Sequence, residues 1–273
     1  MKKNIGFNYK MSAEPAERIS LIEDAGFDGV FIYSQYHPLE YIDLINKSKL
    51  NIETLHLSYK KFIDGQLIDS QYVNALWTED AEADKYEKQL INEISFAHNY
   101  GIKTVVAHIT GGTAPPLMCE SGIKRISRIL DVCEKYGIIL CLENLRRLDY
   151  LEFVFKKLES DKLKFCFDSG HANAFTKNVE TFPWNIFGDK LTCVHLNDND
   201  GIADKHLLPL DGNIDWKNLV RNISKYNSDI ELTLEVRCSE EQKNKYTEQE
   251  YLKLCFDSLV KIEKMILEEK IQK

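Results

Sequence analysis

Histidine and carboxylate side chains recur where short apolar runs end, and this spacing is the first chemical signal in the sequence. The run beginning at Leu191 ends in His195, and the polar segment after it closes with Asp204 and His206. Imidazole nitrogens combined with carboxylate oxygens suit Zn²⁺, Mn²⁺, Fe²⁺ or Co²⁺, whereas Mg²⁺ and Ca²⁺ prefer oxygen ligands alone. The segment therefore predicts part of a divalent-metal site.

Other apolar runs end in the same way. Four histidines and three carboxylates lie at or just beyond the ends of such runs: His56, His108, His171 and His195, with Glu143, Asp168 and Glu235. Asp204 and His206, in the polar segment, bring the totals to five histidines and four carboxylates. Any one of them alone is more simply interpreted as a hydrogen-bonded structural residue or a rim charge. Their coincidence at the same end of successive runs favours a metal site. For His171, binding the substrate or orienting a ligand is an equal alternative to direct ligation.

The elements that must position these side chains alternate between strand and helix. Glycine ends three predicted helices, at Gly26, Gly101 and Gly137, and an apolar run follows each. Continuous apolar runs are typical of parallel strands buried on both faces. Eight strand–helix units predict an α/β fold, a single-domain (β/α)8 TIM barrel over residues 1–273, in which the strand ends converge on one face. A doubly wound sheet is disfavoured, because no Gly-x-Gly-x-x-Gly follows a strand.

Three stretches between these units are less regular. Pro38 predicts the start of a helix, just after His37. Residues 58–80 predict a long polar and aromatic loop, and loops of that length in a compact domain are usually functional or mobile. Residues 172–189, interrupted by Pro183, have no firm assignment.

Composition narrows the class of protein. The 273 residues carry a formal charge of −8 and 44% hydrophobic residues, enough for a large core and unlike a sequence-independent nucleic-acid binder. The seven cysteines form no Cys-x-x-Cys pair, which favours a reducing compartment. The start of the chain lacks a signal-peptide pattern, and no apolar run approaches the roughly 20 residues of a membrane span. We therefore expect a cytoplasmic protein without a membrane partner, and a homo-oligomer is one open alternative for its assembly.

Four further residues are candidates for contact with a substrate. Asn144 and Arg237 lie close in sequence to Glu143 and Glu235, and Lys205 separates Asp204 from His206. At Lys205 and Arg237, the cation either binds an anionic group of the substrate or is simply solvated or salt-bridged. An aromatic wall over a sugar ring is one interpretation of Trp77, Tyr36 and Tyr59, and rim packing is the other.

At these residues the sequence resembles the xylose isomerase-like TIM-barrel superfamily, which groups sugar epimerases and isomerases with endonuclease IV. The resemblance covers essentially the whole chain, and its motifs are specific for the superfamily but not for the reaction. The matching motifs are Leu142-Glu143-Asn144, Phe167-Asp168-Ser169-Gly170-His171, Val194-His195-Leu196-Asn197-Asp198, Asp204-Lys205-His206 and Leu234-Glu235.

The epimerases of this superfamily hold one divalent ion with four residues, and the resemblance implies the same role here for Glu143, Asp168, His195 and Glu235. It also implies that Glu143 and Glu235 move the proton. The expected activity is that of a metal-dependent isomerase or epimerase of a small sugar, sugar phosphate or polyol. Zinc or manganese is the expected metal, with one to three ions.

Endonuclease IV supplies the alternative, a zinc phosphodiesterase with DNA as its partner. Its three-zinc ligand pattern matches all nine metal-type residues, His56, His108, His171, Asp204 and His206 included. The loop of residues 58–80 argues against this alternative, since it carries Asp64, Asp69, Glu79 and Asp80 and would repel phosphates. A non-catalytic metal- or sugar-binding protein is a third possibility.

Overall fold

The computed structural model describes residues 1–36, 39–63, 66–176 and 179–271. Within these ranges lie ten strands: β1 (Lys3–Gly6), β2 (Gly29–Tyr33), β3 (Asn51–His56), β4 (Lys61–Ile63), β5 (Gln66–Ile68), β6 (Thr104–Ala107), β7 (Ile139–Glu143), β8 (Leu163–Asp168), β9 (Leu191–His195) and β10 (Leu232–Leu234).

Helices separate the strands, except that β3, β4 and β5 follow one another directly. In the same described ranges the α-helices are α1 (Pro15–Ala25), α2 (Leu39–Ile45), α3 (Ala81–Asn99), α4 (Glu120–Tyr136), α5 (Leu148–Lys157), α6 (Ser169–Thr176), α7 (Trp184–Phe187), α8 (Trp216–Tyr226), α9 (Glu240–Lys245) and α10 (Glu248–Ile271). Gly26 and Gly137 end α1 and α4 in the left-handed region, at φ of 99° and 68°. This backbone is accessible to glycine without steric cost, so the glycines fix where these helices end.

Eight of the described strands form one sheet in the order β10-β1-β2-β3-β6-β7-β8-β9. A parallel bridge between Leu196, just after β9, and Leu234 in β10 joins the two ends of that order. The predicted α/β class and (β/α)8 TIM barrel are therefore confirmed. The domain boundaries 1–273 stay a prediction.

Two compact units can be distinguished by backbone contacts. The first comprises Met1–Ile32, Leu39–Glu53 and Phe167–Lys273. In it β1 pairs in parallel with both β2 and β10, and the four residues of β2 that belong to this unit are buried. The second comprises Tyr33–Pro38 and Thr54–Cys166. In it β6 pairs in parallel with β3 and β7, and β7 with β8.

The less regular stretches are more structured than the sequence indicated. Residues 58–80 contain the antiparallel pair β4–β5 and a 3₁₀ helix, Tyr72–Trp77. Residues 172–189 continue α6 and add α7 after Pro183. His37 and Pro38, where the sequence predicted a helix start, lie outside the described residues. In the described part of the chain, no helix is both long and apolar enough to span a membrane.

Candidate metal centre

The strands for which the sequence predicted a ligand-type residue at the carboxyl end have that residue either as their last residue or directly after it. His56, Glu143, Asp168 and His195 are the last residues of β3, β7, β8 and β9. His108 and Glu235 directly follow β6 and β10. These positions place each side chain at the carboxyl end of a strand, which is the end that carries the active site in (β/α)8 barrels.

In the second unit, three of these side chains form what we call the strand-end cluster: His56, His108 and Glu143. One Glu143 carboxylate oxygen, Oε2, lies 3.1 Å from His56 Nε2 and 2.9 Å from His108 Nε2. His56 and Glu143 are buried, with 2% and 1% of their side chains exposed. The aromatic ring of Tyr59 lies 4.6 Å from that of His108, so the cluster also has an apolar side.

The tautomer of His56 determines which ring nitrogen presents a lone pair to Glu143. His56 Nδ1 lies 2.8 Å from the carbonyl oxygen of Leu57, which can only accept, so Nδ1 carries the proton. Nε2 of a neutral His56 then directs a lone pair at the carboxylate oxygen of Glu143. The lone pair of Nε2 and the negative oxygen of Glu143 then repel each other. A second proton on the ring or a cation between the two atoms removes this repulsion.

In the first unit, Asp168, His195 and Glu235 form the centre of a larger group. One ligand atom from each lies within 4.8 Å of the ligand atoms of the other two. His195 Nδ1 is 3.2 Å from Glu235 Oε2, and the His195 ring stacks on Phe31 with 4.7 Å between ring centres. Asp168 is fully buried and accepts hydrogen bonds from the His171 backbone N–H, at 2.6 Å, and from Asn197 Nδ2, at 3.0 Å.

Three more predicted ligands adjoin this group. Asp204 Oδ2 lies 3.0 Å from His206 Nε2 and 3.5 Å from His171 Nε2. His171 Nδ1 lies 3.8 Å from Asp168 Oδ1. We call the six residues the loop-supported cluster: Asp168, His171, His195, Asp204, His206 and Glu235.

His206 repeats the arrangement of His56. Its Nδ1 lies 2.8 Å from the carbonyl oxygen of Glu235, so the proton is on Nδ1 and a neutral ring turns the Nε2 lone pair toward Asp204. Burial lowers the pKa of His206, but the charge of Glu235 and the hydrogen bond to Asp204 outweigh burial and raise it overall. Burial likewise works to raise the pKa of Asp204, yet His171 and His206 hold it below its usual range.

The strand-end cluster and the group of Asp168, His195 and Glu235 each fit a bound divalent cation. Metal-ligating histidines usually donate their second ring N–H to a carbonyl or carboxylate, which fixes the tautomer and turns the other nitrogen to the metal. His56 and His206 each have this geometry. Buried imidazoles mixed with carboxylates are a donor set suited to zinc or manganese.

The four residues predicted to contact substrate have different surroundings. Lys205 is half-exposed and pairs with Asp200 at 2.5 Å. Arg237 lies close enough to His206 for its positive charge to lower the pKa of that ring. The backbone N–H of Arg237 donates to the His206 carbonyl. Asn144 is fully buried.

Trp77, the fourth of these residues, lies in the core. It is 3% exposed, and its indole N–H donates to the Ile109 carbonyl at 2.6 Å. Its ring lies against Gly122, where an added Cβ would be 2.3 Å from Trp77. Packing accounts for Trp77, and its substrate role stays a prediction.

Sequence reasoning did not assign the buried residues that support the first unit's ligands. Asn197 donates to Asp168, while the Ser169 hydroxyl accepts from the Asn197 N–H at 2.9 Å and donates to its carbonyl at 2.6 Å. Gly170 is required because a Cβ there would lie 1.8 Å from Asn197 Oδ1. Asp198 follows in the same motif and is fully buried. The signal available was a run of amides and carboxylates directly after an apolar strand.

Comparison with known proteins now defines the class. Residues 19–255 match the family model described as xylose isomerase-like TIM barrel, and the chain belongs to this family.

Curated relatives match over part of their length. Uncharacterized protein y4fM of Sinorhizobium fredii is 29% identical over 162 residues, which are 54% of this chain and 51% of that protein. Uncharacterized protein MJ1614 of Methanocaldococcus jannaschii is 27% identical over 149 residues, 52% of this chain and 53% of that protein. The chain thus spans about half the length of the curated relatives it matches.

Solved structures match over nearly the whole chain. D-psicose 3-epimerase from Clostridium cellulolyticum H10, crystallised with D-tagatose, has a TM-score of 0.77 at 13% identity and covers 97% of this chain and 99% of its own. An L-ribulose 3-epimerase has a TM-score of 0.75 at 14% identity, and the match covers 99% of this chain and 96% of that chain. IOLI protein with a binding zinc atom has a TM-score of 0.72 at 16% identity, and the match covers 96% of this chain and 98% of that chain. At such identities the similarity shows the shared fold.

Proposed function

We propose that this protein is a divalent-metal-dependent isomerase or epimerase of a small sugar, sugar phosphate or polyol. The observation that carries the proposal is the group of Asp168, His195 and Glu235, whose ligand atoms lie within 4.8 Å of one another at the strand ends of a (β/α)8 barrel. We propose Glu143 as the fourth ligand. It ends β7 in register with Cys166, two residues before Asp168 on β8.

The chemistry requires two groups that exchange a proton with carbon. A divalent ion, when bound, polarises the oxygens of a ketose and makes the neighbouring C–H more acidic. Glu143 and Glu235 are the proposed pair: one carboxylate removes the proton and the other returns one to the opposite face of the carbon. His195, buried against Phe31 and 3.2 Å from Glu235, limits where that carboxylate can turn. Positioned acid and base groups of this kind contribute about 10²–10⁴-fold to a rate.

Proton transfer to and from carbon exchanges hydrogen for deuterium in D₂O, so it can be detected without knowing the product. The protein, loaded in turn with zinc, manganese and cobalt, is incubated in D₂O with a panel of ketoses, ketose phosphates and keto-polyols. Proton NMR then follows loss of signal at the carbon next to the carbonyl. We expect exchange with at least one member of the panel, and exchange about 10²–10⁴-fold slower with Glu235→Gln. The proposal is wrong if all loaded forms leave the whole panel unexchanged.

A zinc phosphodiesterase of the endonuclease IV type is the second candidate. The observation that favours it is the strand-end cluster, since a site with four ligands does not need two imidazoles within 3.1 Å of one carboxylate oxygen. Metal content per chain separates the candidates. About three zinc ions per chain, with nicking of duplex DNA at an abasic site, would establish the phosphodiesterase, whereas about one ion per chain and intact DNA would exclude it.

A further inference from the structure

Two ligands of the loop-supported cluster, Asp204 and His206, do not lie on a strand. They belong to residues 199–214, which we call the ligand loop, between β9 and α8. Strand ends are held by the hydrogen bonds of the sheet, but a loop must be held by other means. What fixes this loop therefore decides where Asp204 and His206 lie.

The side chain of Asp198, the residue just before the ligand loop, accepts hydrogen bonds from both ends of the loop. Its Oδ1 accepts from the N–H groups of Asn199, at 2.8 Å, and Ile214, at 3.2 Å. Its Oδ2 accepts from the Leu210 N–H, at 3.1 Å, and from the Trp216 indole N–H, at 2.7 Å. The carboxylate is fully buried and accepts from four neutral donors, three of them on the ligand loop and the fourth, Trp216, on α8.

The middle of the loop is tied to the same residue through the backbone. Asp198 and Leu207 exchange two N–H···O=C hydrogen bonds, each 2.9 Å long. Leu207 directly follows His206. Gly212 packs so closely that an added Cβ would lie 2.2 Å from Asp198 Oδ1. The loop therefore closes around the Asp198 carboxylate.

His206 sits in this closed loop with a backbone that needs support. Its φ is +51°, in the left-handed region that non-glycine residues adopt at a cost of about 1–2 kcal/mol. The backbone N–H of Arg237 donates to the His206 carbonyl at 3.0 Å, and the His206 ring donates its Nδ1–H to the Glu235 carbonyl. A loop released from Asp198 would relax this residue and turn its imidazole away from Glu235.

We propose that Asp198 is a positioning residue: its carboxylate holds the ligand loop so that Asp204 and His206 present their side chains to the metal. This inference rests on the proposed metal-dependent function. Asn at this position keeps the size but replaces one acceptor oxygen by an NH₂ group, which would face two N–H donors. Asp198→Asn is therefore the informative variant, and Trp216→Phe, which removes one donor and keeps the aromatic ring, is the milder one.

The matched control lies in the same loop. Asp211 is exposed, so Asp211→Asn removes the same charge with none of the buried contacts. Circular dichroism first establishes that each variant is folded.

The first readout is metal-free. In ¹⁵N NMR spectra of the chelator-treated protein, the buried Nδ1–H of His206 should give a slowly exchanging imidazole signal, assigned by its loss in His206→Asn. We expect the signal in wild type and Asp211→Asn, its loss in Asp198→Asn, and faster exchange in Trp216→Phe. An unchanged signal in folded Asp198→Asn overturns the proposal. If Asp198→Asn does not fold, an unchanged signal in Trp216→Phe overturns it.

The second readout is cobalt binding, followed by visible absorption. Substitution of residues that orient metal ligands typically weakens metal affinity about 10–100-fold, and we expect this for Asp198→Asn but not Asp211→Asn. Wild-type cobalt affinity in a folded Asp198→Asn overturns the positioning role toward the metal. Failure of the wild type to bind cobalt, with the His206 signal still lost in Asp198→Asn, would instead reject the metal-dependent function and leave the loop assignment intact.

Discussion

The strand-end cluster and the loop-supported cluster present the same donor chemistry on different supports. His56 and Glu143 are the final residues of strands, and His108 directly follows one. In the loop-supported cluster, Asp204 and His206 come from a connection held by the buried carboxylate of Asp198. The difference teaches that sheet hydrogen bonds already hold the backbone of a residue at a strand end, whereas the backbone of a residue on a loop must be held by polar contacts from elsewhere in the chain.

One device is common to both clusters. His56 and His206 each direct Nδ1–H to a backbone carbonyl, of Leu57 and Glu235, and each turns Nε2 toward a carboxylate. Tautomer control is therefore independent of whether a strand or a loop carries the imidazole.

The largest effect is expected from the two glutamates, one from each cluster. Glu143→Gln and Glu235→Gln should each lower turnover by about 10²–10⁴-fold, since each carboxylate supplies half of the proposed proton transfer. Stopped or coupled assays of turnover, with substrate affinity measured separately, check this. The control is Glu240→Gln, an exposed glutamate on α9. Normal turnover in Glu235→Gln would remove the proton-transfer role from that residue.

A medium effect is expected from metal removal, and it should differ between the clusters. Under the proposed function, chelation takes away a cation held by Asp204 and His206, so amides of the ligand loop should exchange about 10-fold faster with solvent. Amides of β3, β6 and β7 should keep their protection, because sheet hydrogen bonds hold them. Hydrogen exchange with mass spectrometry, with and without zinc, measures both regions in one sample. Equal loosening of both would contradict the distinction drawn between strand and loop support.

The smallest effect is expected at Trp77, which supports the segment after His108. Trp77→Phe loses the hydrogen bond to the Ile109 carbonyl, at a cost of about 1–2 kcal/mol in the free energy of unfolding. A thermal midpoint lower by roughly 2–8 °C is the expected result, with KM unchanged. A raised KM at unaltered stability would instead support the substrate-binding role that the sequence suggested.

Much of the fold and the candidate ligands could be predicted from the sequence. The barrel follows from eight apolar runs alternating with helices, and Gly26 and Gly137 mark helix ends through local backbone sterics. The antiparallel pair β4–β5 was not predicted, because short strands whose partners lie in the same loop leave little periodicity to detect. The position of Trp77 was also out of reach, since an aromatic residue in a loop has the same appearance whether it packs inward or outward.

Sequence alone determined which side chains end the strands, because alternation and apolar runs are local properties of the chain. The tertiary structure decided how those side chains meet: that Nε2 of His56 and His108 both reach one oxygen of Glu143, and that His206 turns Nε2 toward Asp204. It also gave Asp198 its role, since Asn199, Leu210, Ile214 and Trp216 converge on one carboxylate only after the chain has folded back. Hydrogen bonds between residues distant in sequence depend on that convergence, and no local pattern encodes it.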